Sequence, residues 1–336
     1  PGPPPKHTSL SISQRKASGE LTAAPPADKV TSYQDEPDLC NTLYINELRR
    51  IAIVGVGLMG GSLGLAIRAA GARARRIGIG RRQSTLDLAL SYDAVDEVTL
   101  DMAEGVRKAD LVVVCTPIGA MESMFKAMAE HLPDGCLVTD VASTKAQVCR
   151  IAERILPRRV RFVGSHPIAG SEKTSVEYAR ADLFQNAVCI VSPTRRSDPV
   201  AVRNLIGLWR AVGGHPYTLS PRKHDQVLAR VSHLPHAVAA ALVLLADAGK
   251  GTRYAGTGFG DTTRIASGDP ALWRDIFASN RTAVLHAIDR LEQELKRFRR
   301  MIQTDDGKAL LAWLSKAKAA RDAWVRQRYA QKEIEP

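Results

Sequence analysis

The stretch "RRIAIVGVGLMGGSLGLAIRAAG", Arg49–Gly71, decides the fold of this chain. It opens with the apolar run Ile51–Val54, passes through glycines spaced Gly-x-Gly-x-x-Gly, and becomes a helical pattern that ends at Gly71. A glycine-rich turn between a strand and a helix is typical of a dinucleotide-binding unit, because glycine lets the backbone approach a pyrophosphate at the positive end of the helix. The alternative is a tight turn without a ligand. The predicted cofactor-binding residues are Gly55, Gly57, Leu58, Met59 and Gly60.

The next strand pattern indicates which dinucleotide is bound. Enzymes that use NAD usually carry Asp or Glu near the end of this strand, where it binds the ribose 2′-hydroxyl. Here the strand pattern stops at Gly80, and Arg81, Arg82 and Ser84 follow. Guanidinium groups bind phosphate oxygens with forked pairs of hydrogen bonds, so we predict NADP as the cofactor rather than NAD. The alternative is a solvated arginine pair on a loop.

Strand and helix patterns alternate as far as about residue 200, which predicts a parallel, doubly wound sheet. Helical patterns alone follow. The fold class is therefore an α/β Rossmann-type dinucleotide-binding domain followed by an all-α helical dimerisation domain. Further strands are predicted at 109–117, 136–144, 161–167 and 187–194, and late helices at Pro199–Val212, Arg222–Ala248, Leu272–Arg300 and Gly307–Ala330.

These patterns divide the chain into four predicted parts. Residues 1–47 are rich in Pro, Ser and Thr and are interpreted as a disordered tail, without the apolar core of a secretory signal. Residues 48–198 form the NADP-binding domain, 199–305 the helical substrate and dimerisation domain, and 306–336 a basic helical tail. The segment "LPHAVAAALVLLADA" is apolar almost all round, which favours burial against a second subunit of a homodimer.

Composition excludes several classes of protein. The chain has 336 residues, of which 45% are hydrophobic and 24% charged, which is ordinary for a globular protein. No apolar run reaches the roughly 18 residues of a membrane span, so no membrane partner is expected. Five cysteines, without a Cys-x-x-Cys pair, argue against a disulfide framework or a zinc site and favour a reducing, cytoplasmic location.

A net charge of +12 raises the alternative of binding to nucleic acid or to an anionic membrane surface. The basic residues are nevertheless scattered, without a run of five. In the last hundred residues they alternate with apolar positions, as on a solvated helix face. We therefore predict no nucleic-acid partner, and note that a site for several anionic groups would also favour this sign of charge.

Polar residues follow the predicted strands at the edge where ligands bind in open α/β sheets. Thr116 and Pro117 end one strand, Ser143 follows another, and His166 ends a third in "FVGSHPIAGSE", 162–172. Since these strand ends should meet the glycine loop at one edge, His166 is predicted to be catalytic rather than structural. A neutral imidazole can accept the proton released when an alcohol carbon gives up a hydride, and Ser143 could fix its tautomer.

Four segments together resemble the prephenate/arogenate (cyclohexadienyl) dehydrogenases of tyrosine biosynthesis, over about residues 49–300. They are "DVASTK" at 140–145, "GSHPIAGSEKTSVEYARADLF" at 164–184, "HDQVLARVSHLPHAVAAAL" at 224–242 and "DTTRIASGDPALWRDIFASN" at 261–280. The resemblance implies oxidative decarboxylation of prephenate to 4-hydroxyphenylpyruvate, or of arogenate to tyrosine, with hydride transfer to the nicotinamide.

The resemblance also implies roles for individual residues. His166 accepts the hydrogen bond, and the proton, from the ring hydroxyl, and Ser143 orients it. Arg264 binds the ring carboxylate, His236 lies in the substrate pocket, and Glu172 lies near the substrate side chain. No metal is expected, because His233 and His236 lack a clearly placed third ligand.

Three interpretations remain open from the residues. Prephenate is placed slightly ahead of arogenate, because surplus positive charge suits its two carboxylates, whereas Glu172 would suit the ammonium of arogenate. A second interpretation is another two-domain NADP-dependent hydroxyacid dehydrogenase, which would use a helical lysine as acid and base. A third is a redox-sensing binding protein without turnover, supported only by the net charge.

Overall fold

The computed structural model describes residues 31–32, 44–170 and 173–333 of the chain, with side chains for residues 44–170 and 173–327. The strands are β1 Thr31–Ser32, β2 Arg50–Val54, β3 Arg75–Ile79, β4 Glu97–Thr99, β5 Leu111–Val114, β6 Leu137–Asp140, β7 Arg161–Phe162, β8 Gly164–Pro167, β9 Val188–Ser192 and β10 His215–Thr218. The α-helices are α1 Tyr44–Glu47, α2 Leu58–Ala69, α3 Gln83–Ser91, α4 Met102–Val106, α5 Met121–Met128, α6 Ala146–Ile155, α7 Pro199–Ala211, α8 Pro221–Leu228, α9 Leu234–Ala248, α10 Thr257–Thr263, α11 Pro270–Ser279, α12 Arg281–Gln303 and α13 Gly307–Glu333.

The first sheet has six parallel strands in the order β4-β3-β2-β5-β6-β7. The strand order reverses between β2 and β5, and this is the switch point at which doubly wound sheets bind ligands. Burial explains the composition of the central strands: all four residues of β5, Leu111–Val114, are fully buried. The predicted α/β Rossmann-type domain is confirmed.

The chain leaves this sheet immediately before the histidine. The predicted strand 161–167 is two strands, because Val163 separates β7 in the first sheet from β8 in a second sheet. The second sheet has the order β1-β10-β9-β8, in which β8 is antiparallel to β9 and β10 is parallel to it. His166 therefore lies on an edge strand of a small mixed sheet, packed beside β6 of the large one.

The sheet-containing part extends beyond residue 198. Helix α7 packs its buried face, which includes Leu205 and Trp209, into the same core as Phe184, and β10 pairs with β9. The expectation that strands stop near residue 200 is thus wrong. The short alternation in "HPYT", 215–218, gives too weak a local signal, and pairing with β9 completes the strand.

The predicted disordered tail is wrong at two places, and the rest of it lies outside the described residues. Thr31 and Ser32 pair with β10. Tyr44 and Ile45 of α1 are buried and pack against α7, because the end of this polar segment carries large apolar side chains.

The part after β10 is helical, as predicted. A π-helical turn, Ala229–His233, joins α8 to α9 directly before Pro235, and its wider spacing accommodates a residue that has no amide hydrogen. The single helix predicted over Leu272–Arg300 is instead broken at Asn280 between α11 and α12. The side chain of Asn280 is buried and bonded to the α8 segment, which holds the break.

The combined run Pro221–Ala248 is long and apolar enough, by length and composition, to cross a membrane. The expectation that no run is long enough is wrong in that respect. The same run carries the buried polar residues His224 and Asp225, which a membrane span would leave unfavourably placed. One helix of this kind is weak evidence for a span, because the core helix of a globular protein passes the same test.

Candidate active site

The glycine loop follows β2 and begins α2, and its geometry requires the glycines. Gly55 has a φ of +93°, and a side chain there would meet the Cys115 carbonyl at 3.0 Å. A side chain at Gly60 would collide with the carbonyl of Gly55. Gly57 precedes the helix and offers no side-chain cap to its first amides. These residues fit a dinucleotide whose pyrophosphate lies against the start of a helix.

A loop from the second sheet covers this turn. The Leu58 amide donates to the Thr174 carbonyl at 2.9 Å, and a side chain on Gly57 would meet the same oxygen at 2.8 Å. A side chain on Gly170 would lie 3.5 Å from the Met59 sulfur. Since Gly170 follows His166 by four residues, the glycine loop and the histidine strand lie at the same edge of the molecule.

The residues predicted to select NADP lie where β3 ends. Arg82 is the residue before α3, and the side chains of Arg81, Arg82 and Ser84 are all exposed. The neighbouring helix starts beside them without a carboxylate in its first turn. An exposed pair of guanidinium groups at this strand end can reach an anionic group on the adenosine side of a dinucleotide.

Thr116 and Pro117 follow β5 on the opposite side of the switch point from the arginines. The Thr116 methyl lies 3.0 Å from the position that a side chain on Gly55 would occupy. Its hydroxyl is buried without a hydrogen-bond partner among the described residues. A buried unpaired hydroxyl beside the glycine loop is the feature expected where a bound cofactor supplies the missing hydrogen bond.

His166 is buried, with 8% of its surface exposed, and its two ring nitrogens differ. Nδ1 lies 2.9 Å from Nε2 of His224. Nε2 has no hydrogen-bond partner in the described chain and is not enclosed by protein atoms. Burial of the ring is the main cause that holds the pKa of His166 well below its ordinary 6.5, and the charges of His224, Lys145 and His233 lower it further. The ring is therefore neutral near pH 7.

His224 is fully buried on α8, and its Nδ1 lies 2.8 Å from Oδ1 of Asp225. Asp225 accepts hydrogen bonds from the backbone amides of Lys145, at 2.7 Å, and Ala146, at 2.9 Å. These amides begin α6, so a carboxylate of the helical domain caps a helix of the first domain. The contacts form a continuous chain from the start of α6 to His166.

A fully buried ion pair lies beneath this chain. The Lys145 ammonium bonds the Asp140 carboxylate, and neither side chain is exposed. The second Asp140 oxygen accepts from the Ser165 amide at 3.3 Å. Buried charges persist only when paired and hydrogen-bonded, so the pair joins the ends of β6 and β8 firmly below His166.

Two more histidines of the helical domain are buried on the same side. His233 accepts a hydrogen bond from the Asn280 side chain at 3.1 Å through Nδ1, and its Nε2 is buried without a partner. Burial lowers the pKa of His233 to about 4. The predicted site residue His236 stacks on Trp273 with ring centroids 3.6 Å apart, and its Nδ1 is also buried without a partner. Both rings therefore have unused hydrogen-bonding capacity.

For the remaining predicted site residues, the described part of the chain shows no hydrogen bond to His166. Ser143 follows β6 and is half-buried, but no hydrogen bond joins it to His166, whose Nδ1 pairs with His224 instead. Arg264 is exposed at the end of α10, on a segment that packs against α9. Glu172 lies outside the described residues. Within the described ranges, no group of three or more His, Cys, Asp or Glu side chains could hold a metal ion.

Comparison with protein families identifies the family to which both parts of the chain belong. The profile of the prephenate dehydrogenase nucleotide-binding domain matches residues 63–218, and that of the prephenate dehydrogenase dimerization domain matches residues 220–316. The chain belongs to the prephenate dehydrogenase family. The two matches begin just after the glycine loop and together reach residue 316. The activity of this class, prephenate or arogenate dehydrogenase, is supported by curated relatives as well.

Among those relatives, the prephenate dehydrogenase of Bacillus subtilis is 36% identical over 81% of this chain and 75% of its own length. The cyclohexadienyl dehydrogenase of Zymomonas mobilis is 33% identical over 81% of this chain and 95% of its own length. The prephenate dehydrogenase of Aquifex aeolicus, solved with hydroxyphenyl propionate and NAD+, superposes with a TM-score of 0.78 at 34% identity, over 82% of this chain and 98% of its own. Synechocystis arogenate dehydrogenase superposes with a TM-score of 0.73 at 31% identity, over 82% of this chain and 99% of its own.

The family site contains residues that sequence reasoning did not assign. The sequence assigned no catalytic role to His224 and Asp225, whose polar side chains at the start of a predicted helix are equally consistent with a structural network. The network exists, but its contact with His166 spans 58 positions of sequence. The adjacent pair "HD" inside one of the four resembling segments was the available signal. The role of Asn280 had no local signal, because it depends on a helix break that packing imposes.

Proposed function

We propose that this enzyme catalyses the oxidative decarboxylation of prephenate to 4-hydroxyphenylpyruvate, with NADP as the hydride acceptor. The observation that carries the proposal is the state of His166: a neutral imidazole whose Nδ1 is bonded to His224 and whose Nε2 has no hydrogen-bond partner in the described chain. His166 lies four residues before Gly170, which approaches Met59 of the glycine loop. That state suits a general base for a hydroxyl group.

In the proposed reaction, Nε2 of His166 accepts the proton of the ring hydroxyl as the hydride leaves the same carbon. The bound nicotinamide would supply the acceptor for that hydride. The bond to the ring carboxylate then breaks, carbon dioxide leaves, and its electron pair makes the ring aromatic. The proton returns from His166 to the phenolic oxygen, so the residue ends as it began.

The cofactor would be held by the glycine loop, Thr116 and the two arginines after β3. Gly55 and Gly60 form the tight turn, the pyrophosphate would take the place of the Thr174 carbonyl beside Gly57, and the Thr116 hydroxyl has an unused hydrogen bond. Arg81 and Arg82 would pair with the 2′-phosphate that distinguishes NADP. The Aquifex aeolicus relative was solved with NAD+, so the cofactor preference of this enzyme is proposed from its own arginines.

The substrate would be held by residues of the helical domain. His236 and His233 each have a buried nitrogen without a partner, and Arg264 would pair with the ring carboxylate. We propose prephenate ahead of arogenate because the chain has a net charge of +12. Both substrates carry two carboxylates, but only arogenate also carries an ammonium, which surplus positive charge disfavours. Glu172, beside the described loop, is the residue proposed to face the side chain of the substrate.

The experiment that tests this function is formation of reduced cofactor, followed at 340 nm, with prephenate and arogenate each assayed against NADP and NAD. We expect the highest kcat/KM with prephenate and NADP. A higher value with arogenate would overturn the substrate assignment, and a higher value with NAD would overturn the cofactor assignment. Absence of turnover with both substrates would overturn the function itself.

The acid limb of kcat/KM should lie well below pH 6.5. Burial and the neighbouring His224, Lys145 and His233 depress the pKa of His166, so the base stays unprotonated, and active, to lower pH than an exposed histidine would. The profile of kcat/KM from pH 4.5 to 9 reports the free enzyme and measures this limb. A limb at or above pH 6.5 would contradict the assignment of a neutral buried base.

We also propose a homodimer formed through the helical domain. Large apolar side chains are exposed along its helices, among them Leu244 at 72% and Leu245 at 74% on α9, with others on α12 and α13. Exposed apolar surface of this extent marks an interaction site. The matching family profile is described as a dimerization domain, which supports the same assignment.

A double substitution Leu244→Glu and Leu245→Glu should therefore dissociate the dimer, since burying two carboxylates in an apolar interface is unfavourable. Sedimentation equilibrium should give twice the 36.5 kDa chain mass for the unmodified protein and the single mass for the variant. Leu100→Glu, at an exposed position of the first domain, is the matched control and should stay dimeric. A monomeric unmodified protein would contradict the proposal.

A further inference from the structure

The hydrogen bonds from Asp225 through His224 to His166 show which ring nitrogens carry hydrogen. The assignment starts at Asp225, whose partners are backbone amides that can only donate. Both oxygens of Asp225 accept from backbone amides at the start of α6, whose positive end stabilises a carboxylate. A carboxylate can only accept, so Nδ1 of His224, 2.8 Å from Oδ1, carries a hydrogen.

The second step follows from the tautomer of His224. Burial lowers the pKa of His224, so the ring is neutral and its Nε2 is then without a hydrogen. This nitrogen lies 2.9 Å from Nδ1 of His166, which must therefore be the donor. A neutral His166 that carries its hydrogen on Nδ1 presents a free electron pair on Nε2.

The opposite arrangement is disfavoured by the same contacts. A hydrogen on Nε2 of His166 would require His224 to donate through Nε2 and to face Asp225 with a bare Nδ1. That would place two acceptors 2.8 Å apart in a buried site, which costs the desolvation penalty of both. The other charged neighbours, Lys145 and Asp140, are paired with each other.

We propose that Asp225 and His224 are positioning residues that hold the hydrogen of His166 on Nδ1 and thereby keep Nε2 available as the base. The inference rests on the proposed function of His166. During the reaction, the proton taken by Nε2 makes His166 a cation, and the hydrogen bond to His224 places the Asp225 carboxylate in line to stabilise it. The pair acts through His166 and does not contact substrate.

This arrangement also connects catalysis to domain packing. His224 and Asp225 belong to α8 of the helical domain, whereas His166 and the α6 amides belong to the first domain. The base is therefore set in its active tautomer only when α8 is docked against α6. The contact between the domains supplies part of the catalytic machinery.

The direct test is the tautomer of His166 in the unmodified enzyme. Two-dimensional nitrogen-15 NMR of protein labelled at histidine distinguishes a ring protonated at Nδ1 from one protonated at Nε2, and comparison with His166→Asn identifies its signal. We expect the hydrogen on Nδ1 at pH 7. A hydrogen on Nε2, or rapid exchange between both nitrogens, would overturn the proposal whether or not the enzyme turns over prephenate.

Asp225→Asn tests the second link. An amide cannot accept from both α6 amides and from His224, so we expect a mixed or reversed His166 tautomer. The expected loss of kcat is roughly 10²–10⁴-fold, with a changed acid limb and a cofactor Kd within about threefold of normal. His224→Gln, which keeps an acceptor for His166, should retain more activity than His224→Leu.

Asp134→Asn is the matched control, at a largely exposed carboxylate, and should leave kcat and the tautomer unchanged. Circular dichroism and thermal melting show whether each variant folds. A folded Asp225→Asn enzyme with the normal tautomer and normal kcat would overturn the proposal. If the unmodified enzyme shows the expected tautomer but no turnover, the proposed function is wrong, whereas the hydrogen bonds from Asp225 through His224 to His166 are confirmed.

Discussion

Replacing His166 by Asn should lower kcat by roughly 10²–10⁴-fold, the usual contribution of a positioned general base. Asparagine cannot accept a proton near neutral pH, so the ring hydroxyl would lose its base. Its side-chain amide can still donate to Nε2 of His224, which limits structural damage behind the site. Steady-state kinetics with prephenate and NADP measure the loss.

The affinity for the cofactor should change little in this variant, because the proposed cofactor contacts lie on the glycine loop and after β3. Titration of cofactor binding by fluorescence checks this. His131→Asn is the matched control, since His131 is exposed on a loop after α5, and it should keep the normal kcat. If the His166 variant retained full activity, the histidine would be structural and a hydroxyacid dehydrogenase with a lysine base would become the better interpretation.

Local sequence pattern was sufficient for the four central strands of the first sheet, β3, β2, β5 and β6, but it missed the short edge strand β4. The runs Ile51–Val54 and Leu111–Val114 are buried on both faces of a parallel sheet, so each reads as an uninterrupted apolar segment. The glycine spacing was equally informative, because Gly55 needs a positive φ and Gly60 has no room for a side chain. Positions with such backbone requirements accept only glycine, so they can be recognised in the sequence.

Tertiary contacts decided what the pattern did not reveal. Val163 is as apolar as its neighbours, yet the chain changes sheets there. The strand His215–Thr218 exists because β9 offers it an unpaired edge. The helix break at Asn280 depends on hydrogen bonds to the Asp225 carbonyl and to His233, which lie 55 and 47 positions away.

The candidate site shows the same division. His166 could be proposed from its place at a strand end, since that edge is fixed by the fold. Its partner could not, because Ser143 and His224 are both plausible until the two domains are packed together. The geometry favours His224, whose ring reaches Nδ1 at 2.9 Å. The family resemblance indicated which residues belong to the site, but it did not show which of them contact each other.

The double substitution Arg81→Ser and Arg82→Ser should raise KM for NADP by about 10–100-fold and leave KM for NAD within about threefold. One hydrogen bond to a charged group contributes about 1.5–3 kcal/mol, and 1.4 kcal/mol is about a tenfold change in affinity. The expected range therefore corresponds to a net loss of about one such bond, because both arginines are exposed and their contacts are screened by water. Only the 2′-phosphate of NADP needs these guanidinium groups, whereas both cofactors use the glycine loop and Thr116. The ratio of kcat/KM for the two cofactors measures the effect.

Arg158→Ser is the matched control, because this arginine is exposed just after α6 and should affect neither cofactor. Salt separates a specific phosphate contact from general attraction to a chain of net charge +12, since screening removes the advantage that general attraction gives the more negatively charged NADP. If the double variant loses NADP and NAD binding equally, the arginines act through the start of α3, where Arg82 lies, and not through the 2′-phosphate. An unchanged cofactor ratio would return the arginine pair to its alternative, a solvated pair on a loop, and would remove the basis for predicting NADP.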